Sequence, residues 1–344
     1  MRQHLKKMLE DKGEVRKLHN MKKIAITVPK GEVMPSAIVG AYFLLTQANF
    51  FCQQNGKKPP FSIKIIGYKN QMQLYDGSFA VRTEHFKKMD EVFDLLIVPG
   101  FTCEMEAPIQ QNNDLIAWMK KQHLEHGTEL ASMCTGAFLL AATGLLDGRK
   151  CTSHWAFEAS FRKFFPKVDF LPEHIVTDDR GFYASGGAYS SLNLILYLIE
   201  KFCGKDTAVW TAKVFQLDID RKSQKPFVIF NQQKSHVDEP IGQVQAYIEQ
   251  HFADPLSVHA LAERFAFSHR NFIRRFKEAT GNTPIEYIQR VRIEAAKRIL
   301  EVTKKSVGEV VIEAGYSDTK TFRQVFKKYT GISPSMYRER YGRA

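Results

Sequence analysis

The chain has 344 residues, 44% hydrophobic and 25% charged, which suits a globular protein of two or three domains. No run is apolar for long enough to span a membrane, and the charged first 20 residues lack the apolar core of a secretory signal. Five scattered cysteines with no Cys-x-x-Cys pair argue against a disulfide framework and a structural zinc, so a reduced, cytoplasmic protein without metal or cofactor is expected. The formal net charge is +12, concentrated in residues 1–23 and after residue 200, while the long middle is slightly acidic. That distribution directs a polyanionic partner to the C-terminal part.

Residues 1–21 form a basic polar segment with weak helical spacing at Leu5, Met8 and Leu9, and Met21 is an alternative start. Lys23–Val28 reads as a buried strand, Ala37–Ala48 as a helix, and Ile63–Tyr68 as a second strand. Tyr75–Arg82 reads as a hairpin added to the same sheet. Leu95–Val98 is a fully apolar strand ending at Pro99-Gly100, and Asn113–Glu125 is an amphipathic helix. Glu129–Met133 is a strand followed by a helix at Thr135–Thr143. Further strands fall near Lys150–Thr152, His174–Thr177 and Phe182–Ala184, before a helix at Ser190–Phe202. Strands alternating with helices over residues 22–204 predict an α/β fold with a mostly parallel sheet covered on both faces.

Cys134 stands where an apolar strand runs into a small-residue helix. This places its thiol at the carboxyl end of a parallel strand, where open α/β sheets bind ligands, and at a helix N-terminus, which favours a thiolate. The competing reading is a buried structural cysteine. The runs LLIVPGF (residues 95–101) and CTGAFLLAATGLLDGRKCTSHWAF (residues 134–157) resemble the PfpI-type, class I glutamine-amidotransferase-like fold. The resemblance covers roughly Lys22 to Gly204 and implies a flavodoxin-like α/β sandwich. In the enzymatic relatives the elbow cysteine is assisted by a glutamate after the first strand and by a downstream histidine. Cys134 and His154 match two of these places. The place of the glutamate falls on Met34 or Pro35, with Glu32 out of register, and Thr135 rather than a histidine follows Cys134. A nucleophile without its partner is poorly activated. The resemblance therefore implies no catalytic residue, and a small-molecule pocket walled by Gly100, Phe101, Cys134, Thr135 and His154, with Gly186 and Gly187 nearby.

Residues 205–238 read as a basic connector, with Gln/Lys/Ser-rich pieces at Arg221–Lys225 and Asn231–Ser235. Residues 239–344 follow as a separate domain, opening with a helix at Ile241–Phe252. Within it one stretch occurs twice, as FIRRFKEATGNTPIEY from Phe272 and FRQVFKKYTGISPSMY from Phe322, a constant offset of 50. In each copy aromatic residues recur at helical spacing, a glycine (Gly281, Gly331) sits where a helix would end, and Thr283 or Ser333 with a following proline opens the next helix. A shorter capped helix precedes each copy, giving two helix-turn-helix units at about 256–279 and 306–329. The second helix of each carries an outward polar face: Ser268, His269, Arg270, Ile273, Arg274 and Lys277 in the first, Thr319, Lys320, Arg323, Gln324 and Lys327 in the second. Such side chains reach base edges and phosphates in a major groove. A lone charged helix face is commonly just solvated; its recurrence on the second helix of both units favours contact.

The runs LAERFAFSHRNFIRRFKEATGNTP and GEVVIEAGYSDTKTFRQVFKKYTGISPSMYR resemble an AraC/XylS-type DNA-binding domain. This implies an all-α double helix-turn-helix domain of seven helices, with a long one at Pro284 to about Val302 joining units that read successive major grooves of double-stranded DNA. The whole chain then resembles the GlxA-like regulators, in which a PfpI-type domain is fused to an AraC-type one. That implies a sequence-specific transcription regulator, with a small-molecule effector, homodimerisation through the α/β domain, and contact with RNA polymerase. The alternative is a Cys-dependent hydrolase or aldehyde-processing enzyme carrying a DNA-binding module.

Overall fold

The computed structural model describes residues 21–230, 233–234 and 236–343. The basic segment expected at the start lies, up to residue 20, outside the described residues, as do Asn231, Gln232 and Ser235 of the connector. Two compact units divide the chain between Gln224 and Lys225.

In the first unit, β1 (Lys22–Val28) pairs in parallel with β2 (Phe61–Gly67) on one side and with β6 (Leu95–Val98) on the other. The sheet continues from β6 through β7 (Glu129–Ser132) to β11 (Phe182–Ser185), again in parallel, and closes with an antiparallel edge strand, β10 (Val176–Asp179). A short β5 (Glu84–His85) borders β2. The order is β10-β11-β7-β6-β1-β2-β5. β6 and β11 are buried at every position, which requires cover on both faces. The cover comes from α1 (Pro35–Gln54), α2 (Glu106–Gln111), α3 (Asn113–His126), α4 (Ala137–Ala142), α5 (Glu158–Phe164) and α6 (Ser191–Cys203). The expected flavodoxin-like α/β fold is present.

Three local expectations are corrected. The hairpin, β3 (Gln71–Leu74) with β4 (Phe79–Arg82), forms its own two-stranded sheet rather than joining the main one. Strand β8 (Lys150–Cys151) also leaves the main sheet and pairs with β9 (Asp169–Phe170). The connector does not begin at residue 205. Lys205–Val214 forms α7, which packs on α1 and α6 with Ala208 and Ala212 in the shared core, and Trp210 stacks on Phe51 with ring centroids 4.9 Å apart. Its buried residues are alanine and threonine, too small and weakly apolar to give a periodic hydrophobic signal. The chain stays with this unit through Gln224, where His174 and Ser223 form an antiparallel bridge.

The second unit contains seven helices among its described residues: α8 (Glu239–Gln250), α9 (Val258–Arg264), α10 (His269–Thr280), α11 (Pro284–Val302), α12 (Val307–Glu313), α13 (Thr319–Thr330) and α14 (Pro334–Tyr341). It has two small cores, and the sequence repeat becomes a structural one. Phe272 and Phe276 of α10 pack with Tyr287, while Phe322 and Phe326 of α13 pack with Tyr337. Each tyrosine hydroxyl donates to a glutamate, Glu249 at 2.7 Å and Glu301 at 2.6 Å. Both α10 and α13 end at a left-handed glycine, Gly281 (φ 72°) and Gly331 (φ 76°), a conformation a Cβ would strain. Capping boxes open α11 (Thr283 with Glu286) and α12 (Ser306 with Glu309). Among the described residues no helix is long and apolar enough to cross a membrane.

Candidate nucleic-acid interface and ligand pocket

In the second unit the anchoring phenylalanines fix which side of α10 and α13 faces out. Ser268, His269, Arg270, Arg274 and Lys277 are exposed and Ile273 is half-buried. Thr319, Lys320, Arg323, Gln324 and Lys327 are all exposed. Ser268 and Asp318 serve as N-caps, accepting from the backbone N–H of Asn271 and of Thr321, so Ser268 is partly committed to holding the helix start. Among the described residues no carboxylate forms an ion pair with Arg270, Lys320, Arg323 or Lys327. Arg274 differs. Its guanidinium donates to both carboxylate oxygens of Glu278 and to Oδ1 of Asn271 at 3.0 Å. Glu278 lies four residues after Arg274 and Asn271 three before, so helical spacing alone could have flagged both. Arg275, one position on, faces away from this set and clamps Asp238, the N-cap of α8, with two hydrogen bonds.

The helix joining the two helix-turn-helix motifs, α11, has 19 residues, about 28 Å at ~1.5 Å per residue. That length matches the order of one DNA turn, roughly 34 Å, once the flanking turns are added.

In the first unit, Cys134 follows β7 at a left-handed backbone angle (φ 55°), in the tight turn from strand to helix. It is 2% exposed. Gly100 lies against it: a Cβ at Gly100 would come within 2.8 Å of the Cys134 Cβ. The Thr135 hydroxyl accepts from the Phe101 N–H at 2.6 Å and also lies 2.9 Å from the Phe101 carbonyl. Ser153 donates to the Cys134 carbonyl at 2.9 Å. His154, next in the chain, packs on Gly187 so closely that a Cβ there would fall 1.9 Å from its ring. Gly100, Phe101, Cys134, Thr135, Ser153, His154 and Gly187 thus gather at the carboxyl ends of β6, β7 and β11.

The electrostatics are those of an unactivated thiol. Burial pushes the Cys134 thiol above its ordinary value, and the opposing hydrogen bonds from the Ala188 and Thr135 backbone and the Thr135 side chain do not reverse it. Burial also depresses His154, whose Nδ1 accepts from the Ala156 N–H at 3.1 Å, leaving the ring proton on Nε2. The register after β1 explains the missing carboxylate. Val33 bridges Phe101 and is fully buried, while Glu32 turns outward and meets the Thr102 hydroxyl at 3.3 Å. Among the described residues no cluster of three or more His, Cys, Asp or Glu side chains is placed to hold a metal ion.

One residue escaped the sequence reading. Gln224 is 2% exposed, and its side chain reaches into the loops behind these residues. Its Nε2 lies within 3.0 Å of the carbonyls of Ser153, Pro172 and His174, and its Oε1 accepts from the Gly187 N–H at 2.9 Å. Its partners are mostly backbone atoms, which leave no trace in a sequence.

Two family comparisons match the two units. The DJ-1/PfpI family matches residues 61–201, and a helix-turn-helix domain family matches residues 261–340. The transcriptional regulator GbdR of Pseudomonas aeruginosa is 27% identical over 209 residues, covering 60% of this chain and 57% of GbdR. The chain therefore spans little more than half of that relative's length. CdhR, a transcriptional regulator of the same organism, is 29% identical over 263 residues, covering 74% of each protein. A THiJ/PfpI family protein from Pseudomonas syringae superposes with a TM-score of 0.50 at 20% identity, covering 72% of this chain and 92% of that one, a likeness of fold.

Proposed function

We propose that this chain, a DJ-1/PfpI domain joined to an AraC-type helix-turn-helix domain, is a sequence-specific DNA-binding transcription regulator whose α/β unit senses a small metabolite. The observation that carries the reading is the duplicated frame of α10 and α13. Each buries two phenylalanines and so turns a polar, largely cationic face outward, on which, among the described residues, no carboxylate forms an ion pair with Arg270, Lys320, Arg323 or Lys327. GbdR and CdhR are named as transcriptional regulators, which agrees with it. Selection of bound duplexes from a random pool, followed by anisotropy titration of the winner and of a scrambled duplex, tests the reading. Equal affinity for both would remove sequence specificity.

The pocket around Cys134 is the proposed sensing site. A neutral buried thiol, an apolar Met34 or Pro35 where a carboxylate would serve, and a neutral His154 favour recognition over turnover. Turnover of model esters, amides and glyoxals no faster than by Cys134→Ala is the expected result; a rate that falls with Cys134→Ala would favour the enzymatic alternative. Homodimerisation is supported by the outer face of α1, where Val39, Tyr42, Phe43 and Phe50 are each 39–50% exposed along one stripe. Contact with RNA polymerase belongs to the same reading.

A further inference from the structure

Within the second unit the two helix-turn-helix motifs have separate cores, and α11 passes through both. Tyr287, Ile288 and Val291 of α11 belong to the first core, and Ile293, Ala296 and Leu300 to the second. The helix sets the distance between the motifs. The angle between them depends on what braces its flanks.

One flank is tied by Arg292. Its guanidinium donates to the carbonyls of Phe252 and Asp254, in the loop after α8, both at 2.8 Å, and lies 5.3 Å from the Tyr316 ring of the second motif. A single line of attachment leaves a hinge. Arg290, Glu294 and Lys297 stand at i, i+4 and i+7, on one helical face roughly 140–160° round from Arg292. The chain that precedes α8 crosses this opposite flank.

That crossing starts on the second motif. Lys225–Phe227 forms a short 3₁₀ turn with Pro226 buried. Lys225 lies against the cap of α13, where a Cβ at Gly331 would meet the Lys225 Cβ at 3.3 Å. Phe227 meets Tyr341 of α14 edge-on, with ring centroids 6.2 Å apart, and the Arg340 guanidinium lies 4.9 Å from its ring. Over α11 the Val228 carbonyl accepts from the Lys297 ammonium at 2.6 Å, and the Phe230 N–H donates to Glu294 at 3.1 Å. The crossing reaches the first motif at Phe230, edge-on to Tyr287 at 5.3 Å. Arg290 spans the join, its guanidinium 5.5 Å from the Phe230 ring and 4.9 Å from the Tyr329 ring of α13.

Lys297 makes the crossing more than a surface contact. It is 5% exposed, and its ammonium donates to Glu294 at 2.6 Å as well as to the Val228 carbonyl. A buried ammonium is costly without acceptors, and one of these acceptors is the crossing chain itself.

We propose that Lys225–Phe230 is a strap built into the DNA-binding unit, with Phe230 and Lys297 as positioning residues: it locks the two motifs at one mutual angle and so fixes how α10 and α13 meet successive grooves. This rests on the reading of those helices as the DNA-contacting ones. The strap acts through geometry and needs no contact with DNA.

Two measurements on the full chain keep this proposal and that reading apart. Spin labels carried by unnatural amino acids at positions 270 and 320, both exposed, report the separation of α10 and α13 by pulsed electron resonance without DNA. The native chain is expected to give one narrow distance distribution. Phe227→Ala combined with Phe230→Ala, and separately Lys297→Met, are each expected to broaden it about twofold. Circular dichroism checks that the variants are folded, and Phe230→Ala alone replaces any that is not. An unchanged width in the folded variants would overturn the proposal. The second measurement is anisotropy on the selected duplex and on one with the α13 subsite scrambled. The variants are expected to lose about tenfold on the first and less than about twofold on the second, because slack between linked modules lowers the effective concentration of the second at its site. Equal losses on both duplexes would make the strap a general stabiliser and overturn its positioning role. A native chain that binds both duplexes alike would remove the regulator reading, while the label distances still decide whether the strap sets the angle.

Discussion

The Arg274 guanidinium grips both carboxylate oxygens of Glu278, at 2.8 and 2.7 Å, on the outward face of the first recognition helix. A cation paired within its own helix must exchange that partner for a base or a phosphate before it contributes to DNA binding. A single nitrogen, Nη1, makes both of these contacts, while Nη2 donates to Asn271 Oδ1.

The first prediction follows. Arg274→Ala is expected to cost about 1–3 kcal/mol on the selected duplex if it reads a base, with smaller loss on a scrambled one. Glu278→Gln is expected to tighten binding, and the gain should vanish in an Arg274→Ala background because the two residues share one interaction. Anisotropy titrations of the four proteins close the cycle. A gain that survives the loss of Arg274 would mean Glu278 acts only by repelling phosphate.

Among the described residues no carboxylate forms an ion pair with Arg270, Lys320, Arg323 or Lys327, so no such exchange is needed. Each one that contacts phosphate is expected, on change to Ala, to weaken binding to every duplex alike and to reduce the salt slope by about 1. Titration at two or more salt concentrations measures this. Unchanged affinity and slope in all four variants would leave these residues as solvated charges.

The capping boxes give a stability prediction. Thr283 and Ser306 each accept from the N3 amide of their helix, with Glu286 and Glu309 returning the bond. Thr283→Ala and Ser306→Ala are each expected to lower stability by about 0.5–2 kcal/mol. The effects should add, because the two caps share no partner. Denaturant midpoints of the single and double variants check both points.

Acid sensitivity should involve His154. Burial depresses its imidazole below the ordinary value of 6.5, so the unfolded chain binds the proton first as pH falls. The stability this neutral histidine supplies is complete above 6.5 and declines as pH drops from there toward the depressed folded value. His154→Asn keeps an acceptor for the Ala156 N–H without the titration. Between pH 7.5 and 5.5 the native protein is expected to lose more thermal stability than the variant; equal losses would clear His154 of the effect.

The exposed stripe on α1 predicts self-association. Tyr42→Ser with Phe43→Ser is expected to shift sedimentation from dimer to monomer without lowering the melting temperature, since both side chains are already 39% and 50% exposed. A native protein that is monomeric at tens of micromolar would refute the dimer.

The sequence by itself determined what depends on neighbours a few residues away. The 50-residue repeat, the phenylalanine stripes, Gly281 and Gly331 as helix stops, and the Thr283 and Ser306 boxes are all set by contacts within one or two turns of chain. So is the strand-turn-helix at Cys134, which places the thiol at a strand's carboxyl end whatever surrounds it. Tertiary structure alone decided the rest. That Val33 points inward and Glu32 outward depends on pairing with Phe101, nearly 70 residues on, and a shift of one residue would exchange them. That α7 belongs to the α/β unit rests on alanines and threonines whose small surfaces carry no pattern. That Gln224 ties together the loops beside Cys134 and His154 rests on carbonyl oxygens, which every residue possesses and no sequence displays.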